Sequence, residues 1–242
     1  MKSTTTFMNV RSVRITGLLY LLVIICAGFS QGYVRASLIV PGEAAITATN
    51  IMQNELLYRW GLTADMIAFI LDAAISILLY QMLKPYGKTL AMVSSAMRLL
   101  AHPAIGMLNL LNHYMALHVL GGIDILSGLG IDQIESLSLL FTDAHRNGYL
   151  IAGSFFGVHC ILLGWLIIVS DMIPRFFGVM MIVAGIGYLM ETFGDFLFPG
   201  NEAWLALLVG FAAALGEVGL TLYMLIKGAR RSYAQNIQTA TL

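Results

Sequence analysis

The stretch LTADMIAFILDAAISILLYQML, from Leu62 to Leu83, decides the fold class because it is long and apolar and contains few polar residues. A helix needs about 20 consecutive apolar residues to cross the hydrocarbon core of a lipid bilayer. This stretch has the required length, and the polar turn from Lys84 to Lys88 ends it. It therefore predicts a membrane-spanning helix that carries Asp72 near its middle and Asp65 seven residues earlier on the same face.

The composition of the whole chain gives the same indication. Of its 242 residues, 59% are hydrophobic and only 11% are charged, against about 25% charged residues in an ordinary soluble domain. So few charges cannot cover the surface of a soluble protein. The 13 basic and 13 acidic residues cancel, so the basic surface of a nucleic-acid-binding protein is missing. Cys26 and Cys160 both lie in apolar stretches, which favours buried thiols over a disulfide.

Five further stretches resemble the first, so the sequence predicts an all-α, polytopic six-helix membrane bundle with one transmembrane domain over residues 1–242. The predicted spans are approximately residues 13–33, 62–83, 89–119, 146–169, 176–198 and 202–226. Residues 34–61 are predicted to form an external segment, in which residues 44–58 are compatible with a helix along the membrane interface. A second exposed loop is expected from Gly121 to Asp143, and residues 228–242 are expected to form a polar cytoplasmic tail.

The distribution of lysine and arginine predicts that both termini lie in the cytoplasm, because cytoplasmic loops are enriched in these residues. With this orientation the cytoplasmic side holds nine basic residues, the opposite side holds three, and Arg98 lies inside a span. The nine are Lys2, Arg11, Arg14, Lys84, Lys88, Arg175, Lys227, Arg230 and Arg231, and the three are Arg35, Arg59 and Arg146.

Ionisable residues inside the predicted spans are the candidate functional residues. A charge at the bilayer centre costs about 2.5 to 3.5 kcal/mol on insertion scales, so such residues face the bundle interior and find partners there. Arg98 stays charged and needs a carboxylate partner, for which Asp72 and Glu217 are the candidates. Each remaining carboxylate must bind a proton, pair with histidine, or face water or a cation. The predicted mid-membrane site consists of Asp72, Arg98, His102, His159 and Glu217, with Glu191 above them.

Other interpretations of these residues stay open. The same network can be a static contact between helices. His102 and His159 together with Asp72 are a weak alternative for a metal site, and the two histidines can in principle ligate a haem. Four outer residues are expected to line a wet vestibule, namely Asn109, Asn112, His113 and His118, and His145 is expected at the interface. The chain contains no H-E-x-x-H, P-loop or G-x-S-x-G motif.

Four stretches resemble the bacterial integral membrane family catalogued as domain of unknown function 4386. They are RITGLLYL from Arg14, GYVRASLIVPGEAA from Gly32, FFGVHCILLGWL from Phe155 and IPRFFGVMMIVAGIGYL from Ile173. The resemblance covers approximately residues 14 to 230 and implies a six-span bacterial inner-membrane protein. It implies no catalytic residue. The positions that match the family pattern are Arg35, Pro41, Gly42, His159, Pro174 and Arg175. Arg35, beside the Pro41–Gly42 turn, is expected to shape an external vestibule or to anchor a loop.

The sequence therefore predicts a multipass protein of the bacterial cytoplasmic (inner) membrane. Its expected partners are membrane lipids and a small solute, a proton or a cation, and no nucleic acid. The leading hypothesis is a small-solute or proton- or cation-linked transporter or sensor that uses the mid-membrane polar site. An intramembrane metal-dependent enzyme and a non-catalytic membrane scaffold are the alternatives. No cofactor is predicted, no catalytic residue is assigned, and an enzyme is the less favoured interpretation.

Overall fold

The computed structural model describes residues 10 to 230, which form seven helices joined by short connections. Six of these helices are long and apolar enough to cross a membrane, which confirms the predicted all-α membrane bundle. The six are α1 (Val10–Leu38), α3 (Glu55–Tyr86), α4 (Lys88–Leu120), α5 (Ile131–Ser170), α6 (Arg175–Leu197) and α7 (Glu202–Ile226). The short helix α2 (Ala44–Gln53) lies between α1 and α3.

The six long helices form a closed ring. Each packs against the next long helix along the chain, and α7 packs against α1. Both ends of the described chain meet at one end of this ring, because Arg14 Nη2 donates a hydrogen bond to Ile226 O at 3.3 Å. We call this end the terminal end. The opposite end, where α2 lies, is called the distal end.

Two segments differ from the sequence-based expectation. The exposed loop predicted from Gly121 to Asp143 is wrong in its second half, because α5 already begins at Ile131. A helix of 40 residues is about 60 Å long, which is about twice the thickness of the hydrocarbon core. The polar first turns of α5 therefore have room beyond the bilayer. Residues 44–58 are not one helix, because the backbone breaks at Asn54, where φ is −125° and ψ is 37°.

The predicted tail and the predicted basic N-terminus lie largely outside the described residues. Of the tail, residues 231–242 are not described, and neither are residues 1–9 with Lys2. Just before the tail, Arg230 N donates a hydrogen bond to Met172 O at 2.9 Å. This bond fixes the end of the described chain to the turn between α5 and α6.

The terminal half of the ring contains a closely packed apolar core. Its fully buried side chains include Val13, Ile75, Met82, Leu163, Leu166, Ile167, Met172, Met181, Leu220 and Met224. Here α5 and α6 approach each other through glycine, because a Cβ atom added to Gly164 would lie 3.0 Å from Ile182 N. Small residues at a crossing allow the backbones of two membrane helices to approach this closely.

The helices that line the middle of the ring are less regular. A π-helical segment interrupts α1 at Gly28–Arg35, α4 at Leu100–Gly106 and α7 at Ala214–Val218. In α4 the cause is visible in the sequence, because Pro103 has no N–H group to continue the helical hydrogen bonds. Such segments are often found at functional sites, and each of these three carries a polar residue that takes part in the contacts described next.

Candidate functional site in the middle of the membrane

Arg98 on α4 lies at the centre of a fully buried polar cluster. Its side chain is 1% exposed and that of Asp72 on α3 is 0% exposed. Arg98 Nε donates a hydrogen bond to Asp72 Oδ1 at 3.0 Å, and Arg98 Nη2 donates to the same oxygen. Of the two partners that the sequence left open, Asp72 is therefore the carboxylate in direct contact with Arg98.

Tyr20 on α1 completes the surroundings of the guanidinium group. Arg98 Nη1 donates a hydrogen bond to Tyr20 Oη, and Arg98 Cζ lies 4.3 Å from the centroid of the tyrosine ring. Phe156 on α5 covers the group from another direction, with its ring centroid 5.2 Å from Arg98 Cζ. A cation between aromatic faces is stabilised by the ring quadrupoles. Four helices, α1, α3, α4 and α5, thus meet at one arginine.

His159 on α5 is held as a neutral hydrogen-bond acceptor. Its Nε2 lies 3.1 Å from Arg98 Nη1, and because arginine can only donate, Nε2 must accept. Its Nδ1 lies 2.9 Å from Ser94 O and therefore carries the proton. Both ring nitrogens are used, so in this arrangement His159 offers no free lone pair to a metal ion or a haem iron. Within residues 10–230, no three His, Cys, Asp or Glu side chains are arranged to hold a metal ion.

His102 contacts the second carboxylate oxygen of Asp72. Its Nδ1 lies 2.9 Å from Asp72 Oδ2, and its side chain is 21% exposed, which makes it the more accessible partner of this carboxylate. The imidazole ring packs against Phe156, with ring centroids 4.5 Å apart. His102 lies in the π-helical segment of α4, directly before Pro103. Asp72 is therefore shared between a permanent cation and a partly exposed imidazole ring.

Glu217 on α7 lies beside this cluster but outside its direct contacts. Tyr188 Oη on α6 donates a hydrogen bond to Glu217 Oε1 at 2.6 Å. The Glu217 carboxyl group interacts electrostatically with Arg98, His102 and Asp72. Among the described residues, no basic side chain forms an ion pair with it. Glu217 thus has no basic ion-pair partner within residues 10–230, and it lies in the π-helical segment of α7.

Glu191 on α6 is not part of the Arg98 cluster. It interacts electrostatically with Asp195, one turn further along α6, and with Arg146 on α5. Arg146 and Asp195 form an ion pair. The structure therefore brings together Asp72, Arg98, His102 and His159 in direct contact, places Glu217 beside them, and leaves Glu191 nearer the distal end.

A second buried ion pair, between Arg35 and Asp65, was missing from the predicted site. The two side chains are 5% and 1% exposed, and Arg35 Nη1 donates a hydrogen bond to Asp65 Oδ2 at 2.6 Å. Ser30, in the π-helical segment of α1, donates to the other oxygen of Asp65. The helix α1 continues to Leu38, past the predicted end of the first span, so Arg35 lies on this helix; its position outside the membrane stays a prediction. The available signal was that Asp65 and Asp72 are seven residues apart and share one helical face.

A third group of polar side chains lies at the distal end and is buried inside the bundle. The rings of Tyr58 and His113 stack with their centroids 3.9 Å apart, and His145 lies edge-on to His113 at 5.4 Å. His145 is 3% exposed, so its ring lies inside the bundle; its position at the depth of the membrane interface stays a prediction. Asn109 is also buried, and its Nδ2 donates a hydrogen bond to His145 O at 2.7 Å. Of the predicted vestibule residues, His118 does line an outer cavity of about 490 Å³.

These observations define a multipass α-helical membrane protein with a column of buried polar groups that runs from the middle of the ring to its distal end. The chain matches the family described as Domain of unknown function (DUF4386) over residues 15–228 and belongs to that family. An uncharacterized protein of Archaeoglobus fulgidus is 25% identical over 166 residues, which are 69% of this chain and 82% of that protein. No solved structure matches the chain.

Proposed function

We propose that this protein is a proton-linked transporter or sensor in which Glu217 is the group that exchanges the proton. The observation that carries the proposal is the imbalance of charge at mid-membrane depth. Arg98 and Asp72 compensate each other at a hydrogen-bonded distance of 3.0 Å. Glu217 accepts a hydrogen bond from the neutral donor Tyr188 at 2.6 Å and forms no ion pair with a basic side chain of the described part of the chain.

The physical argument begins with the free energy of an isolated charge. An ionised carboxylate that is buried without a cationic partner is very unfavourable, and such a group instead takes up a proton. Glu217 is partly buried and has no basic ion-pair partner among the described residues, so in the proposal it is neutral while Arg98 is fully engaged by Asp72. If a solute or a change in helix packing weakens the Arg98–Asp72 contact, Arg98 favours ionisation of Glu217, because the two groups interact electrostatically. Proton release from Glu217 and the state of the ion pair are coupled in this way.

His102 gives the pair a second means of adjustment. It contacts the Asp72 oxygen that does not contact Arg98, so loss of this contact would change how strongly Asp72 holds Arg98. Both His102 and Glu217 lie in π-helical segments, where the hydrogen-bond register of the helix differs from that of the flanking turns. A shift of such a segment moves one side chain without breaking the whole span.

The proposal is tested by proton flux into liposomes that contain the purified full chain and a trapped pH-sensitive dye. A potassium gradient with valinomycin drives protons inward, and the initial rate is compared between the parent chain, Glu217→Gln and empty liposomes. We expect the Glu217→Gln variant to fall to the rate of empty liposomes. The matched control is Glu43→Gln, which removes an exposed carboxylate and should keep the parent rate. Equal rates for the parent chain and Glu217→Gln would contradict the proposal.

We further propose the bacterial cytoplasmic membrane as the location, with both termini in the cytoplasm. Support comes from the excess of basic residues on that side and from the meeting of both chain ends at the terminal end. Membrane-impermeant maleimide should label Ser127→Cys in intact cells and label Lys227→Cys only after permeabilisation, in a background without Cys26 and Cys160. The opposite labelling pattern would reverse the orientation.

A non-catalytic scaffold is the second candidate, and the closed network around Arg98 favours it. Arg98 uses Nε, Nη1 and Nη2 on Asp72, Tyr20 and His159, which is also what a purely structural contact requires. This candidate predicts no proton flux above that of empty liposomes for any variant. It also predicts that Asp72→Asn and Arg98→Gln change stability alone.

A further inference from the structure

A pair of carboxyl groups on α6, Glu191 and Asp195, forms a second candidate site closer to the distal end. The Asp195 side chain is only 3% exposed, and its Oδ2 accepts a hydrogen bond from Arg146 Nη2. Its other oxygen, Oδ1, is buried and has no hydrogen-bond partner among the described residues. A buried carboxylate oxygen without a donor is unfavourable, so this oxygen indicates a missing proton donor.

Glu191 is in the right position to supply that donor. Residues four apart on a helix are neighbours on one face, and Glu191 interacts electrostatically with both Asp195 and Arg146. When its carboxyl group is protonated, Glu191 becomes an O–H donor. An ionised Glu191 would instead place a second negative charge beside Asp195.

The charges around the pair favour a bound proton. Arg146 is the basic group that faces it from α5, and its side chain is 50% exposed. Besides the pair itself, Asp143 on α5 and Glu202 on α7 also interact electrostatically with Arg146. Glu202 is partly exposed to solvent and accepts a hydrogen bond from Gly200 N. In contrast, Glu191 and the buried Asp195 both interact with Arg146. If both members of the pair were ionised, they would carry one negative charge more than Arg146 compensates. On the side toward mid-membrane, the neighbouring titratable groups are Tyr188 and, beyond it, Glu217.

We propose that Glu191 and Asp195 bind one proton between them, with the Glu191 O–H group donating to Asp195 Oδ1. The proton comes from the aqueous phase at the distal end, and no bond other than this O–H bond is made. Tyr188 lies one turn before Glu191, and its hydroxyl group donates a hydrogen bond to Glu217. A role of the pair in supplying protons to Glu217 would rest on the proposed function. The shared proton between Glu191 and Asp195 does not depend on the proposed function.

Infrared spectroscopy of the full chain in lipid nanodiscs tests the shared proton without any transport measurement. A protonated carboxyl group has a C=O stretching band that an ionised carboxylate lacks. At neutral pH we expect Glu191→Gln to lose the intensity of one such group relative to the parent chain. Asp195→Asn should lose the same band, because Arg146 then becomes free to pair with an ionised Glu191. Glu43→Gln should leave the band unchanged, and circular dichroism checks that each variant is folded.

Two outcomes would overturn the proposal. One is a protonated-carboxyl band of equal intensity in the parent chain and Glu191→Gln. The other is a shift of the Glu191 and Asp195 carboxylate bands on addition of sodium chloride in place of choline chloride at constant pH, which would make the site a metal-cation site. If Glu191→Gln loses the band while the parent chain shows no proton flux, the proton site stands and the transport hypothesis fails. If proton flux depends on Glu217 but the infrared band does not depend on Glu191, the transport hypothesis stands and the shared-proton proposal fails.

Discussion

The terminal half and the middle of the helical ring differ in the kind of contact that holds the helices together. In the terminal half the contacts are apolar, and glycines such as Gly164 and Gly178 let α5 and α6 touch through their backbones. In the middle, the contacts are between charged and aromatic side chains around Arg98. The ring thus combines a region fixed by shape, where the helices are held by close apolar packing, with a region fixed by charge, where they are held by ion pairs and hydrogen bonds.

Helix regularity follows the same division. The helices α5 and α6 are continuous α-helices over their full lengths. The helices α1, α4 and α7 each contain a π-helical segment, at or beyond the level of the Arg98 cluster. Apolar close packing requires a regular backbone, whereas polar groups gain from a local change of register that turns one side chain inward. This difference indicates that the terminal half, where α5 and α6 meet through glycine, forms the frame and that the π-helical segments, which lie outside it, are the adjustable parts.

The largest effect is expected from removing Asp72. In Asp72→Leu the buried Arg98 loses its compensating charge, which should reduce the free energy of unfolding by about 3–5 kcal/mol. The measurement is unfolding of the purified protein by added sodium dodecyl sulfate in mixed micelles, followed by circular dichroism. The double variant Asp72→Leu with Arg98→Leu is the control, because it removes both charges and should regain most of the loss. A double variant as unstable as the sum of the two single variants would show that the region is not fixed by charge.

The sequence was sufficient for the fold and for part of the candidate site. Six apolar stretches are each long enough to span a bilayer, and a charged residue in such a stretch is too unfavourable to face lipid. These two facts place Asp72, Arg98, His102 and His159 in the interior, where the structure shows them in contact.

What the sequence could not supply was the exact extent and register of the helices. The first predicted span ends at residue 33, whereas α1 continues to Leu38 and includes Arg35. The contact of Tyr20 with Arg98 depends on how α1 is rotated about its axis, which an apolar stretch does not specify. The sequence places Glu191 above the mid-membrane residues, but depth alone does not specify which face of α6 meets which neighbour.

A smaller effect is expected from filling the close contact between α5 and α6. In Gly164→Ala the new Cβ atom would lie 3.0 Å from Ile182 N and 2.8 Å from Ile182 Cγ1. Since the backbone nitrogen cannot move alone, the helices must separate, and we expect a loss of about 1–3 kcal/mol in the free energy of unfolding. The control is Gly210→Ala on α7, where nothing lies within 4 Å of the added Cβ atom, so the higher helix propensity of alanine should add up to about 1 kcal/mol. Equal stability of Gly164→Ala and Gly210→Ala would contradict a frame fixed by shape.

The smallest effect, with the opposite sign, is expected at Thr221. This residue lies on α7 in the terminal half, is 0% exposed, and its Oγ1 has no hydrogen-bond partner among the described residues. A hydroxyl group buried without a partner is unfavourable by about 1–3 kcal/mol in protein mutational data. Thr221→Val keeps the shape and removes the hydroxyl, so it should raise the free energy of unfolding by about 1 kcal/mol.

The comparison becomes sharper when the same kind of change is made at the Arg98 cluster. Tyr20→Phe also removes one hydroxyl at nearly constant shape, but that hydroxyl accepts a hydrogen bond from Arg98. Its loss should lower the free energy of unfolding by about 1.5–3 kcal/mol, as for other hydrogen bonds to charged groups. Opposite signs for Thr221→Val and Tyr20→Phe in the same detergent titration support the division of the ring into an apolar and a polar region. A stabilising Tyr20→Phe variant would mean that the Arg98 cluster is held by packing, as the terminal half is, and the charge argument for Glu217 would lose its basis.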